Sequence, residues 1–152
     1  MQVIPFSSTI IHAKLPVKGL CLVILGQTFR SVAMIEASSN FSHQIATEKK
    51  VNHTLVTSGI YALVRHPSYF GFFWWSVGTQ VFLANPLATM VFIAVLWKFF
   101  SSRIQYHSSL SLVASFWVNF GYRTEEVLLV DFFGEEYVDY RKKVGTWIPF
   151  IS

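Results

Sequence analysis

The chain has 152 residues, of which 53% are hydrophobic, 17% aromatic and 13% charged, with a formal net charge of +4. That balance leaves too little polar surface for a soluble domain of this length and points to a membrane protein. Cys21 is the single cysteine, which excludes an intrachain disulfide and a multi-thiolate metal site, and the interleaving of basic with apolar residues favours membrane lipid over nucleic acid as partner.

Met1 to Ile11 lacks the basic start and small-residue cleavage site of a signal peptide. The first long apolar stretch, Leu15 to Ala37, has about the twenty residues a membrane helix needs. It holds Arg30, which must lie near an interface or serve an internal site, because an unpartnered arginine costs a few kcal/mol there. From Ser38 to Gly59 the sequence turns polar, with Ser38, Ser39, Asn40, Glu48, Lys49, Lys50 and Asn52, the composition of a solvent-facing loop where a water-soluble ligand can approach.

A second apolar block begins at Pro67, suited to the first turn of a helix, and is interrupted by Asn85-Pro86, a turn dipeptide. The block predicts a helical hairpin over Pro67 to Ile104, inserted from one side of the bilayer, with Gly71 and Gly78 letting its arms pack closely. A hairpin returns to the face it leaves, so Arg65 and His66 at its entrance and Arg103 at its exit share a side. Lys98, Arg141, Lys142 and Lys143 flank these ends, which by the positive-inside tendency makes that side cytosolic. Two readings of Arg65 and His66 stay open. They anchor the helix among lipid headgroups, or they join the unpaired amides of the helix start in an anion seat, with Tyr61 and Tyr69 offering faces to a base or a cation. Beyond the hairpin, His107 to Thr124 has a short apolar centre, and Phe132 to Val144 shows near-helical spacing of Phe133, Tyr137, Tyr140 and Val144, which predicts an amphipathic helix along the cytosolic face.

The stretch "HTLVTSGIYALVRHPSYFGFFWWSVGTQVFLANP", followed by "WKFFSSRI" and "FFGEEYVDYRKKVGTWIPFI", resembles the C-terminal core of the isoprenylcysteine carboxyl methyltransferases. Phospholipid N-methyltransferases and membrane reductases share the Arg-His-Pro words alone, and a catalytically inactive membrane fragment is the third alternative. The resemblance implies an all-α, polytopic membrane enzyme of the endoplasmic reticulum that uses S-adenosylmethionine to methylate the carboxylate of a C-terminal prenylated cysteine, with its active site facing the cytosol and no metal. It implies cofactor contacts at His53, Thr54, Leu55, Val56, Tyr61, His66, Pro67, Ser68 and Tyr69, and catalytic roles for Arg103 and Glu125; Arg30, from its place in the first span, is a second candidate for orienting the carboxylate. On this pattern the chain is one methyltransferase core: a membrane helix at 15–37, a cytosolic cofactor loop at 38–66, a hairpin at 67–104, an insertion at 107–124 and a C-terminal amphipathic segment at 125–152. Further helices stand ahead of the core in the family, so the chain reads as N-terminally shortened.

Overall fold

The computed structural model describes residues 6–46, 48–49, 52–104 and 125–151, and no strand occurs among them. Five α-helices are present among the described residues: α1 (Phe6–Ala37), α2 (Pro67–Phe82), α3 (Pro86–Ile104), α4 (Glu125–Phe133) and α5 (Glu135–Lys143). The expected insertion at 107–124 lies outside the described residues. α1 begins nine residues ahead of Leu15 and carries Pro16 within it.

Among the described residues, two stretches are long and apolar enough to cross a membrane, Leu15–Asn40 and Pro86–Ile104. Their outer faces present Val17, Ile24 and Ile35 on α1 and Leu87, Met90 and Val95 on α3, all more than half exposed. So much contiguous apolar surface is stable against lipid and not against water. α2 has 16 residues, about 24 Å at 1.5 Å per residue, somewhat less than the hydrocarbon thickness of a bilayer.

α2 and α3 are joined by a three-residue turn, Leu83 to Asn85, and Asn85 starts α3 by accepting the Ala88 amide on Oδ1 at 3.0 Å. α2 packs more extensively on α1 than on α3. Here the structure corrects the expectation for Gly71 and Gly78. A Cβ on Gly71 would lie 2.5 Å from the Gly26 carbonyl oxygen and 2.7 Å from the Arg30 nitrogen, and one on Gly78 would lie 2.8 Å from the Val23 nitrogen. Gly19 and Gly26 on α1 answer them, since a Cβ on either would strike the backbone of α2. Each pair is seven residues apart, two helical turns, so the four glycines form a seam between α1 and α2 instead of a seam within the hairpin.

The core runs from this seam to the last segment. Val64, Phe70, Phe73, Val77, Phe100, Ile104, Ile148 and Ile151 are buried together, and the Trp97 indole donates to the Pro149 carbonyl at 2.8 Å. The C-terminal stretch also departs from expectation. Instead of one helix over Phe132 to Val144 there are two, meeting at Gly134, whose φ of 57° and ψ of −134° suit glycine. Tyr137 and Tyr140 are buried by the protein itself, their hydroxyls bonded to Glu126 of α4 and to the Tyr61 carbonyl, so this face of α5 packs on α4 and on the turn ahead of α2.

Candidate active site

The loop after α1 is closed by side chains at its neck. Asn40 donates from Nδ2 to Thr54 Oγ1 and accepts the Thr54 amide on Oδ1, each at 3.2 Å. Glu36, at the end of α1, accepts the Ile60 amide on Oε2 at 2.6 Å and so anchors the short 3-10 turn Gly59–Ala62. Tyr61 in that turn is tied to both sides: its hydroxyl donates to the Ala33 carbonyl at 3.3 Å, and its own carbonyl accepts the Tyr140 hydroxyl at 2.6 Å. Burial, then the nearby Glu125 and Glu36 charges, pushes the Tyr61 phenol up to about 12.

Between this loop, the start of α2 and the pair α4–α5 lies a pocket enclosing about 900 Å³ of open space, its mouth included. All nine residues expected to contact a cofactor, His53, Thr54, Leu55, Val56, Tyr61, His66, Pro67, Ser68 and Tyr69, line it, and Glu125 joins them. Its remaining wall is mainly apolar and aromatic, with Phe41, Leu129, Phe132 and Phe133.

Arg103 and Glu125 are brought together through Tyr69. The Tyr69 hydroxyl donates to Glu125 Oε2 at 2.6 Å and accepts from Arg103 Nε at 2.9 Å, while Arg103 Nη2 donates to the His43 carbonyl at 2.9 Å. The guanidinium also stands 5.5 Å from the Tyr69 ring centroid and 5.6 Å from that of Phe99, within range for cation–π attraction. Arg30 takes no part in these hydrogen bonds; it sits 5.1 Å over the Phe72 ring with its charge reaching Tyr69, and like Arg103 it is not among the residues lining the pocket.

Arg65 and His66 do not form an open anion seat, because a carboxylate of the chain already holds them. Glu126, 2% exposed, places Oε1 at 2.9 Å from Arg65 Nε, His66 Nε2 and the Tyr137 hydroxyl alike, and its Oε2 lies 3.4 Å from Arg141 Nη1. Arg65 Nη1 donates further to the carbonyls of Arg141 at 3.1 Å and Val144 at 2.8 Å, and its amide to that of Gly145 at 2.9 Å. Burial acting alone would raise the Glu126 pKa. The hydrogen bond and charge of His66, the charge of Arg65 and the Tyr137 hydroxyl outweigh it and hold the carboxyl below its usual range. Tyr137, buried against that charge, is pushed well above the ordinary phenol value.

Sequence reasoning selects Glu125 from the Glu125-Glu126 pair and misses its neighbour. Consecutive helical residues point about 100° apart, so one of the two had to face away from a shared pocket wall, and the adjacent Arg65-His66 pair was the available counter-charge.

The chain matches the family model described as the isoprenylcysteine carboxyl methyltransferase (ICMT) family over residues 19–112. It is 47% identical over 146 residues to the protein-S-isoprenylcysteine O-methyltransferase of Saccharomyces cerevisiae, covering 96% of this chain and 54% of that protein. To the Homo sapiens protein of the same name it is 44% identical over 138 residues, covering 91% and 42%. Among solved structures it is similar to a eukaryotic intramembrane Ras methyltransferase, ICMT, with a TM-score of 0.76 and 44% identity over 90% of this chain and 43% of that one. The chain thus spans about half the length of the curated relatives it matches. By the extent of the family match, and by a helical fold shared with an intramembrane relative, this chain belongs to the isoprenylcysteine carboxyl methyltransferase family.

Proposed function

We propose that this chain methylates the C-terminal carboxylate of prenylated cysteine, with S-adenosylmethionine as methyl donor, from the membrane of the endoplasmic reticulum with its pocket open to the cytosol. The observation that carries the reading is the convergence of His53 to Val56, Tyr61 and His66 to Tyr69 on one pocket that also holds Glu125.

The lining suits the donor. Aromatic and apolar walls can take a base, the stretch His53 to Val56 runs along the lining where a ribose or base edge can lie, and the rings of Tyr61 and Tyr69 with the Glu125 carboxylate favour a positive centre. Bound there, S-adenosylmethionine supplies a methyl group on a sulfonium, an electrophile open to direct displacement by an anionic oxygen. The acceptor needs no base, because an α-carboxyl with a pKa of about 3.5 is already ionised at neutral pH. The work left to the protein is orientation and exclusion of water, which can lower a barrier by several kcal/mol. Arg103 suits the orienting role. Two of its nitrogens are held by Tyr69 and His43, so its charge is fixed beside the pocket wall at little entropic cost. The exposed apolar faces of α1 and α3 favour entry of a prenyl tail from the bilayer, and the basic residues Lys98, Arg141, Lys142 and Lys143 favour a cytosolic orientation.

The test is calorimetric titration of the purified chain in detergent with S-adenosylmethionine. Saturable binding is expected, and Val56→Trp, which adds bulk to the lining, is expected to weaken it at least about tenfold, or 1.4 kcal/mol. Absence of binding by the unaltered chain, or equal affinity in the variant, would contradict the assignment.

A further inference from the structure

We infer that Glu126 is a positioning residue of this site: its buried carboxylate fixes the direction of the His66 ring, and through it the aromatic wall on which the proposed donor rests. The inference rests on the function proposed above, and Glu126 itself stays off the pocket surface.

The geometry has three steps. Oε1 of Glu126 lies 2.9 Å from His66 Nε2, and an ionised carboxylate only accepts, so Nε2 carries the proton and donates. Nδ1 is then the nitrogen left to meet a ligand. Next, the His66 ring stacks on Tyr69 with centroids 5.5 Å apart and planes 11° from parallel. A ring swung out of this plane would lose both the Glu126 bond and the stack. Finally, the Tyr69 hydroxyl is the bridge between Glu125 and Arg103. Arg65 and Tyr137 hold the same Oε1 at 2.9 Å, and Arg141 approaches Oε2, so the carboxylate is itself fixed from the residue two ahead of α2 and from α5. The arrangement is the one used around ligating or catalytic histidines, where a carboxylate on one nitrogen sets the tautomer presented by the other.

The experiment reads the ring directly. In the unaltered chain in detergent, with its histidines labelled with nitrogen-15 and His66 assigned by comparison with His66→Gln, the His66 signal is expected to show a hydrogen-bonded proton on Nε2 without any ligand. In Glu126→Gln that signal is expected to shift or broaden, and the affinity for S-adenosylmethionine to fall about tenfold in the folded, monodisperse fraction. Ile148→Ala, in the core and away from the pocket, is expected to lower the thermal midpoint without moving either readout, which separates positioning from general loosening. A His66 ring in the unaltered chain without a proton on Nε2 overturns the inference, whether or not the variant folds. So does a folded Glu126→Gln chain with unchanged signal and affinity. If the signal responds but neither chain binds S-adenosylmethionine, the positioning of His66 stands and the proposed function fails.

Discussion

Glu126 satisfies four polar partners from a position that the solvent does not reach. Leaving such a charge without its partners typically costs about 3–5 kcal/mol, so the cluster is a condition of the fold as much as an ornament of the site. Its pH dependence follows in sign. Because His66, Arg65 and Tyr137 hold the folded-state pKa below the ordinary value, the folded state binds the proton less readily than the unfolded one. The stabilisation is complete above the unfolded value of about 4.3 and is lost as pH falls through the lower folded value. Thermal unfolding in detergent is expected to show a falling midpoint on acidification below about pH 4.3, with a shallower dependence in Glu126→Gln. A midpoint equally pH-dependent in both chains would mean that other carboxylates dominate. This cluster was hard to read in advance because its members lie far apart in the chain: Glu126 is 60 residues from His66 and 61 from Arg65. A charge pair at that separation has no periodic signature. The pocket residues were more legible, because the family resemblance runs through the short continuous words His53 to Val56 and His66 to Tyr69.

The helix start at Pro67 was plain from proline's fixed φ and missing amide proton, and Asn85-Pro86 marked the turn between α2 and α3. The partner of the glycine face was not plain. A spacing of seven shows that Gly71 and Gly78 share a side of α2, and either neighbour could have met it; Gly19 and Gly26, with the same spacing on α1, were the overlooked complement. Helical periodicity likewise runs through Gly134 without interruption, and the break there comes from a positive φ that no hydrophobic pattern records. The seam sets the distance between α1, which carries Glu36 and Ala33, and α2, which carries Tyr69. Gly71→Ala would push a methyl against the Gly26 carbonyl and the Arg30 nitrogen, both backbone atoms that cannot rotate away. A loss of about 1–3 kcal/mol is expected, seen as a lower thermal midpoint with helical circular dichroism retained at low temperature. An unchanged midpoint would show that the two helices are less closely seated than the seam requires.

At the scale of the molecule, two membrane-length helices present apolar faces outward, while the polar loop, the start of α2 and the pair α4–α5 gather the chemistry at one pocket. Lipid-facing surface and a water-accessible site side by side fit a reaction whose acceptor has a prenyl tail on one end and a carboxylate on the other. The central claim is that the methyl group goes to a carboxylate oxygen. It is tested by supplying the chain, in membranes, with a farnesylated cysteine mimic and S-adenosylmethionine labelled in its methyl group, then treating the extracted mimic with base. A carboxyl methyl ester releases its label as volatile methanol, whereas a methylated amine keeps it. The account predicts label on the mimic that base releases, absent when the mimic's carboxyl is replaced by a carboxamide. Base-stable label on phospholipid, or no transfer by a folded chain that binds S-adenosylmethionine, would contradict it.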